Sequence, residues 1–511
     1  MRNRDVAEML ERAGRILSLR GENRYRIRAY QKAARAVVSL DEGIDVVVKE
    51  KRLQQLEGVG SALAEKIQEI VETGTLSMLE RIETVSLPPT KMNRTILLAS
   101  ALTFSTELLP QLVALPGVTQ VQVVGEARRR RETVTGLEFA LAVSDMAEAK
   151  ESLGAHKHLH SCRWEDNKCF TVHSFGIEIT FHLVVEECFV QTLWQTTGSV
   201  THVQKMAMII KEKTGQQIMK VPGQSNALQL LSEEELYALA NLPLIAPELR
   251  EDGGEIEAAQ AGQLPLLVDA ADYKGDLHIH TDWSDGAASM KKMVEAAVEL
   301  GYEYVAITDH SRSLKIAKGL SLERLSQQQA FIKSLQDKYN IRIFSGIEVD
   351  ILDDGSIDAP NEVLANLDVV IASVHSAFRQ SRAKMTTRIC RAMQNPYVQI
   401  LGHATGRLLG KREPYEVDMA EVLRVAAMTG TSLEINSSPD RLDINDSVAR
   451  RAKDAGIAVA INTDAHSQLE LANMLLGLAM ARRGWLEKKD VLNTSSAQDI
   501  LAILQKKRRK H

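Results

Sequence analysis

Asp276-Leu277-His278-Ile279-His280-Thr281, followed by Ser284-Asp285-Gly286, is the stretch on which the reading of this chain turns. Side chains of an extended strand alternate between faces, so His278 and His280 share one face while Ile279 takes the other. Further residues of the same chemistry recur downstream of apolar runs: Thr308-Asp309-His310, Gly346-Ile347-Glu348-Val349-Asp350, Ser373-Val374-His375, Gly402-His403 and Asn462-Thr463-Asp464-Ala465-His466. The runs themselves are expected as strands at 304–307, 341–347, 369–372, 399–401, 432–435 and 458–462, with helical segments between them. That alternation folds as βα units around a parallel sheet or barrel. The C-terminal ends of barrel strands open onto one mouth, so these polar residues should meet there. From residue 272 onward there are six internal histidines, and all six fall at such ends. A lone histidine at a strand end is ordinarily a hydrogen-bonded rim residue; six of six is a ligand pattern. Imidazoles mixed with carboxylates suit divalent Mn, Zn or Fe, whereas Ca and Mg sites are built from oxygen.

Outward from this stretch the chain is long, 511 residues, enough for two to four domains. Its 44% apolar and 25% charged residues are those of a globular protein, and 4% aromatics with much Ala and Leu favours helical and α/β structure. No run of eighteen uncharged apolar residues is present and the first residues carry no signal-type apolar core, so no membrane span is expected. Cys162, Cys169, Cys188 and Cys390 show neither zinc nor disulfide spacing, which suits free thiols and a cytoplasmic location. A net charge of −5 excludes a protein that coats nucleic acid, but two local basic runs stand out. Arg2 to Arg35 holds ten Lys or Arg against four acids, and Lys506, Lys507, Arg508, Arg509, Lys510 is the second.

Residues 1–85 read as short helices, with Val6, Met9, Leu10, Ala13, Ile16 and Leu17 at helical spacing. Residues 92–250 are expected as mixed strands and helices, with strands at 120–124, 139–143, 169–172 and 177–185. The acidic, Gly/Ala-rich stretch 252–263 has no apolar period and is expected as part of a linker, 251–271, ahead of a domain at 272–511.

The motifs DLHIHTDWSDG, AITDHS, GIEVDI, DVVIASVHS, ILGHATGRL, LEINSSP and INTDAHS, in that order, closely resemble the PHP (polymerase and histidinol phosphatase) family. The resemblance implies a distorted (β/α)7 barrel with two or three divalent ions. By it, His278, His280, Glu348 and Asp464 hold one metal, Glu348 bridges to a second held by His375 and His403, and Asp285, His310 and His466 hold the third. These nine are the expected catalytic set. Asn436 and Arg407 lie in matching motifs, where a substrate contact and a structural role both stay open. Clustered dications would grip phosphate oxygens, activate water and stabilise the leaving oxygen, so the expected reaction is phosphate-ester hydrolysis.

Upstream, Leu56-Glu57-Gly58-Val59-Gly60 before a helix at 61–72 is a helix-hairpin-helix pattern, whose glycines allow a tight turn and whose helix N-terminus offers N–H groups to a DNA phosphate. AYQKAARAV, LEGVGSALAEKIQEIVETG and LSMLERI resemble the N-terminal DNA-binding domain of family X DNA polymerases, VVGEARRRRETVTG their palm motif, TTGSVTH their nucleotide-side loop and LPLIAPELREDGGEIEAA the end of their thumb. The order matches the bacterial type in which such a core precedes a PHP domain. The resemblance implies DNA-contact roles for Gly58, Gly60, Lys66, Arg26 and Tyr30. For Lys66 a plain surface role competes with the lyase amine of some family members, and Tyr30 could equally be a packing residue.

The departures are informative. Where the family carries its polymerase carboxylates, this chain has Leu137, Phe139 and Thr180, which cannot supply the anionic oxygens for two Mg²⁺ ions. Glu138 lies on the opposite strand face from Leu137 and Phe139. Gly125-Glu126 replaces the family's Gly-Ser, and the segment from Ile82 to Arg94 is short for the family's second hairpin. The expected whole is multidomain α/β: a helix-hairpin-helix domain (1–85), a degenerate α+β palm and thumb (92–250) and the barrel. Its expected function is DNA-processing phosphodiester hydrolysis, a 3′-to-5′ exonuclease or 3′-end trimming enzyme at 3′ ends, gaps or abasic sites, with polymerisation lost. The competing readings are a small-molecule phosphate monoester hydrolase of histidinol-phosphatase type, a non-enzymatic DNA scaffold, and a still active repair polymerase.

Overall fold

The computed structural model describes residues 1–19, 22, 24–79, 95–173, 176–218 and 229–508. The short segment from Ile82 to Arg94, like Arg509 and Lys510 of the basic tail, lies outside the described residues. The chain divides into two compact units, one made of Glu11–Tyr30 and Thr73–Pro265, the other of Met1–Leu10, Gln31–Glu72 and Leu266–His511.

In the first of these units a short antiparallel pair, β1 (Ile96–Leu97) with β3 (Thr133–Val134), accompanies a five-stranded sheet. Its strands are β2 (Val118–Val124), β4 (Leu137–Val143), β5 (Leu159–Glu165), β6 (Lys168–His173) and β7 (Glu178–Val185), in the order β2-β4-β7-β6-β5. Only β4 and β7 run parallel. The four strands expected here are present, each longer by one or a few residues except β7. The edge strand β5 was not anticipated: it buries only Leu159 and continues His-Ser-Cys-Arg-Trp-Glu, too polar to signal a strand. The stretch expected as a linker is partly ordered, with a helix at Glu255–Gln260. Glu255 is fully buried, taking backbone N–H groups of Asp252 and Gly253 and the Nδ1 side of His202 at 2.6 Å. A carboxylate spent on internal donors looks like a solvated one in sequence.

In the other unit seven parallel strands form a nearly closed barrel: β8 (Gly275–Ile279), β9 (Tyr304–Ile307), β10 (Arg342–Asp350), β11 (Val369–Ser373), β12 (Ile400–Leu401), β13 (Ser432–Asn436) and β14 (Val459–Asn462). They pair in sequence order, and the two ends approach beyond β14, where Asp464 N–H donates to His278 O at 2.9 Å and His280 N–H to Ala465 O at 2.8 Å. Tyr304, Ala306, Phe344, Val369, Ile371, Ile400 and Ala460 make one buried apolar cluster with Ile500 and Leu504 of the helix Ala497–Arg508. Two cations of the basic run are engaged within the protein. Lys507 is 3% exposed and its ammonium donates to Met393 O, Val398 O and Thr431 Oγ1, while Arg508 lies over the Tyr397 ring. Among the described residues no helix is long and apolar enough to cross a membrane.

The N-terminal pieces of this unit include the helices Ile44–Lys49 and Ser61–Thr73. Gly58 between them has φ +79°, and a Cβ there would also come within 3.0 Å of Lys32 Cβ, so glycine is required twice over.

A candidate metal centre at the barrel mouth

The strand period of two builds the site. On β9, β10, β11 and β14 the cluster residues Tyr304, Phe344, Ile371 and Ala460 lie an even number of residues before His310, Glu348, His375 and Asp464. Within β10 the alternation puts Phe344 and Glu348 on one face, apolar below and polar above, while His310, His375 and Asp464 follow just past the ends of their strands. β8 supplies His278, and His280 follows directly after its last residue. His403 follows the two-residue β12 with φ +24°, and Asp464 has φ +55°. Both sit in the left-handed region that side-chain-bearing residues avoid, a strain found at functional sites. Gly402 has no room for a Cβ, which would lie 2.4 Å from Ser373 Oγ; its bareness lets His403 N–H reach Glu434 at 2.9 Å.

All nine residues expected from the sequence come together. His278 Nε2 and His280 Nε2 are 3.1 Å apart. Asp464 Oδ1 lies 3.7 and 3.0 Å from them, and Glu348 Oε2 lies 3.4 and 3.5 Å from them. The other oxygen of Glu348 is 3.4 Å from His375 Nε2 and 3.1 Å from His403 Nε2. Asp285 Oδ1 is 3.6 Å from His310 Nε2 and 3.3 Å from His466 Nε2. His310 does not belong to one group alone, since its Nδ1 is 2.8 Å from Glu348 Oε2 and it also clusters with Glu348 and His375.

These separations fit divalent cations. Four donors around an ion at bonds of ~2.0–2.1 Å stand ~3.3 Å from one another. Hydrogen bonding among the side chains does not account for the packing. Glu348 Oε2 and His310 Nδ1 are buried without a well-formed hydrogen bond, although Glu348 Oε2 has three imidazole nitrogens within 3.5 Å. Buried polar atoms of this kind need a partner, and converging lone pairs need a cation.

Electrostatics point the same way. Burial opposes the charge on Glu348, yet the imidazoles of His375, His310 and His278 hold its carboxyl well below the usual range. Asp464 is depressed likewise by His278 and His280 against its burial. Burial, with His310 and His466 beside it, pushes His280 down to about 3, leaving a neutral imidazole with lone pairs to give. For His375 burial is outweighed by Glu348 and Asp350, and for His466 by Asp285 and Asp464, so both are lifted to about 9.

A surrounding layer, which the sequence reading missed, fixes the ring orientations. Glu434, fully buried, accepts from His278 Nδ1 at 2.7 Å, Asn462 Nδ2 at 3.0 Å and Asn436 Nδ2 at 3.2 Å. Asp350 Oδ1 is 2.6 Å from His375 Nδ1. Glu470 takes the His466 N–H at 2.7 Å and is itself paired with Arg35 at 2.5 Å. The parity of Glu434 and Asn436 on β13, and of Glu348 and Asp350 on β10, was the available signal. Asn436 is fully buried and donates to Glu434 and Asp464, and Arg407 donates to the carbonyls of Arg441 and Leu442. Arg441 also stands beside the site, with Nε 3.6 Å from Asp464 Oδ2.

A helix-hairpin-helix domain model matches residues 1–76, and a PHP domain model matches residues 276–438. The DNA polymerase/3′-5′ exonuclease PolX of Bacillus subtilis (strain 168) is 34% identical over 574 aligned positions, spanning 99% of this chain and 100% of that protein. The chain belongs to the PolX family. Other relatives match under half of the chain: probable phosphatases of Thermoanaerobacter sp. (strain X514) and Vibrio campbellii, each 30% identical, cover 46% and 47% of this chain and 96% and 95% of their own lengths.

Within this PolX member the residues expected at the family's polymerase carboxylate positions, Leu137, Phe139 and Thr180, lie on β4 and β7. Leu137 and Phe139 are 1% and 0% exposed, Phe139 stacks on Phe181 at 5.7 Å, and Thr180 sits across from Glu138. Glu138 is 3.0 Å from His182 on the other face. Glu126 accepts from Thr135 N–H at 2.7 Å, and the arginines that follow are engaged, Arg128 with Glu233 at 2.6 Å and Arg129 with Glu251 at 3.0 Å.

The expected DNA-contact residues divide. Lys66 is half-buried on the helix Ser61–Thr73, its ammonium donating to Ala62 O at 3.3 Å, and a Cβ placed on Gly60 would meet nothing within 4 Å. Arg26 is exposed and reaches Glu22 at 3.5 Å. Tyr30 is 2% exposed with its hydroxyl 3.1 Å from Met78 Sδ, so its ring is spent on helix packing.

Proposed function

We propose that this protein is a DNA-processing phosphodiesterase, a 3′-to-5′ exonuclease or 3′-end trimming enzyme acting at 3′ ends, gaps or abasic sites. The observation that carries this reading is the convergence of nine ligand-type side chains about Glu348, in a chain whose relative across its whole length is named for exonuclease as well as polymerase activity. His278, His280, Glu348 and Asp464 would hold one divalent ion of Mn, Zn or Fe, Glu348 with His375 and His403 a second, and Asp285, His310 and His466 a third. Such ions supply Lewis acidity for the phosphate oxygens and an acidified water. The chain's own side chains hold charge and proton in place. Glu434 and Asp350 keep the Nδ1 protons of His278 and His375, leaving Nε2 free. Arg441 is positioned to meet a phosphate oxygen beside Asp464. The helix-hairpin-helix segment, with Gly58, Gly60, Lys66 and Arg26, would grip the DNA backbone, and residues 92–250 would be a polymerase-derived core that no longer polymerises. A cytoplasmic location belongs to this reading.

Metal analysis of the purified protein, coupled to degradation of 5′-end-labelled DNA, tests the reading; no bound transition metal, or labelled DNA left whole, sinks it. The match of probable phosphatases to just under half of the chain favours one second reading, a small phosphate monoester as substrate, and relative rates on a 3′-recessed duplex and on such monoesters discriminate the two. Loss of polymerisation is supported by the buried Leu137 and Phe139. Primer extension with Mn²⁺ and four nucleotides is expected to give no product.

A further inference from the structure

We infer that residues 312–318, the loop leaving the barrel directly after His310, seat the backbone of a DNA strand at the metal centre, with Ile316 as an apolar contact to its sugars or bases. This inference rests on the DNA reading above and names a surface on the barrel itself that would hold the strand.

The loop is pinned at its root to the metal site. Ser311 N–H donates to Glu348 O at 2.9 Å, and Leu320 N–H returns to His310 O at 2.7 Å. Asp358 takes Ser313 N–H at 3.0 Å, Gly319 N–H closes onto Leu314 O at 3.2 Å, and Ala317 is buried beneath. Arg324 ties the far side, donating to Lys318 O at 3.0 Å and to the carbonyl of Trp283, two residues before Asp285. The loop thus stands between the chain segments that carry His310 and Asp285.

What this frame displays is cationic and apolar. Residues 311–320 read Ser-Arg-Ser-Leu-Lys-Ile-Ala-Lys-Gly-Leu, without an acid. Arg312, Lys315 and Lys318 are exposed, and Ile316 at 93% is the most exposed large hydrophobic side chain among the described residues. Trp283, half-buried, has its ring 6.1 Å from Phe331, itself 40% exposed, so an aromatic pair lies on the same flank. Three cations around an uncovered aliphatic side chain match a strand of DNA, whose phosphates alternate with apolar sugar and base faces. Because the loop is already ordered by its own hydrogen bonds, binding costs little backbone entropy.

The test uses the full-length protein loaded with Mn²⁺, comparing a single-stranded oligonucleotide with thymidine 5′-(4-nitrophenyl phosphate), a diester too short to reach the loop. In the triple variant Arg312→Ala/Lys315→Ala/Lys318→Ala the ratio of KM values, oligonucleotide to small diester, should rise about tenfold, and the slope of log KM against log salt should fall by about 2. Ile316→Ser should raise the ratio a few-fold with the salt slope kept. Equal losses on both substrates, or an unchanged ratio and slope in the triple variant, would overturn the inference. A wild-type protein that cleaves the small diester but no DNA would overturn the DNA reading itself, which the comparison of wild type alone decides.

Discussion

Replacing Glu434 by Gln should uncouple the metal centre without changing its shape. Glu434 Oε1 accepts His278 Nδ1 and Asn462 Nδ2, while Oε2 accepts His403 N–H and Asn436 Nδ2. A carboxamide has one oxygen, so whichever way it is set, two of these four donors face an amide N–H. With each buried donor left unpaired at about 1–3 kcal/mol, the fold should lose at least about 2 kcal/mol. The alternative escape is chemical. If the amide donates to His278 Nδ1, the ring takes the other tautomer, and its Nε2–H then points at the atoms with which Nε2 now converges, Glu348 and Asp464. Either way affinity for the ion should drop about 10–100-fold, or about 1.4–2.8 kcal/mol. Chelator competition with Zn²⁺ and Mn²⁺ reads the affinity, and a thermal melt of the metal-free protein reads the fold. Wild-type values in both would refute the view that this carboxylate orients His278.

Three further outcomes are expected. His280→Ala or Asp464→Ala should abolish DNA hydrolysis while fluorescence anisotropy still reports DNA binding; a variant as active as wild type contradicts the ligand assignment. Arg35→Ala removes the partner of Glu470, which holds the His466 backbone, and should weaken the Asp285–His310–His466 group by about 0.5–1 kcal/mol, visible as faster loss of one ion equivalent to a chelator. His375 and His466, lifted to about 9, must shed protons to take metal, so Mn²⁺ affinity should rise between pH 6.5 and 9. Their raised values stabilise the metal-free fold fully below pH 6.5 and are lost as pH climbs through 9, so the melting temperature should fall across that window without metal and hold with it.

The barrel and the crowd of imidazoles and carboxylates at its mouth were legible because both rest on local rules. Apolar runs at strand length announce β9 to β14, and a period of two places His278 with His280 on one face. What stayed hidden were environments set by distant chain. Lys507 read as tail charge and is a buried donor; for Tyr30 DNA contact and packing both stood open, and its hydroxyl lies against Met78. Nothing in residues 252–263 could tell that Glu255 meets His202. Arg441, beside Asp464, carried no signal in the sequence reading.

Residue type and strand parity, both short-range properties, were enough to say that imidazoles and carboxylates would crowd the rim of a parallel barrel. They could not say that Glu348 is the hub, touching His278, His280, His310, His375 and His403, which come from four other segments of chain. Nor could they reveal that Arg35 braces the His466 loop, or that Glu434 collects four donors. Those pairings depend on strand order, on stagger and on how far each strand end protrudes, and Coulomb energy changes steeply over the ångströms involved.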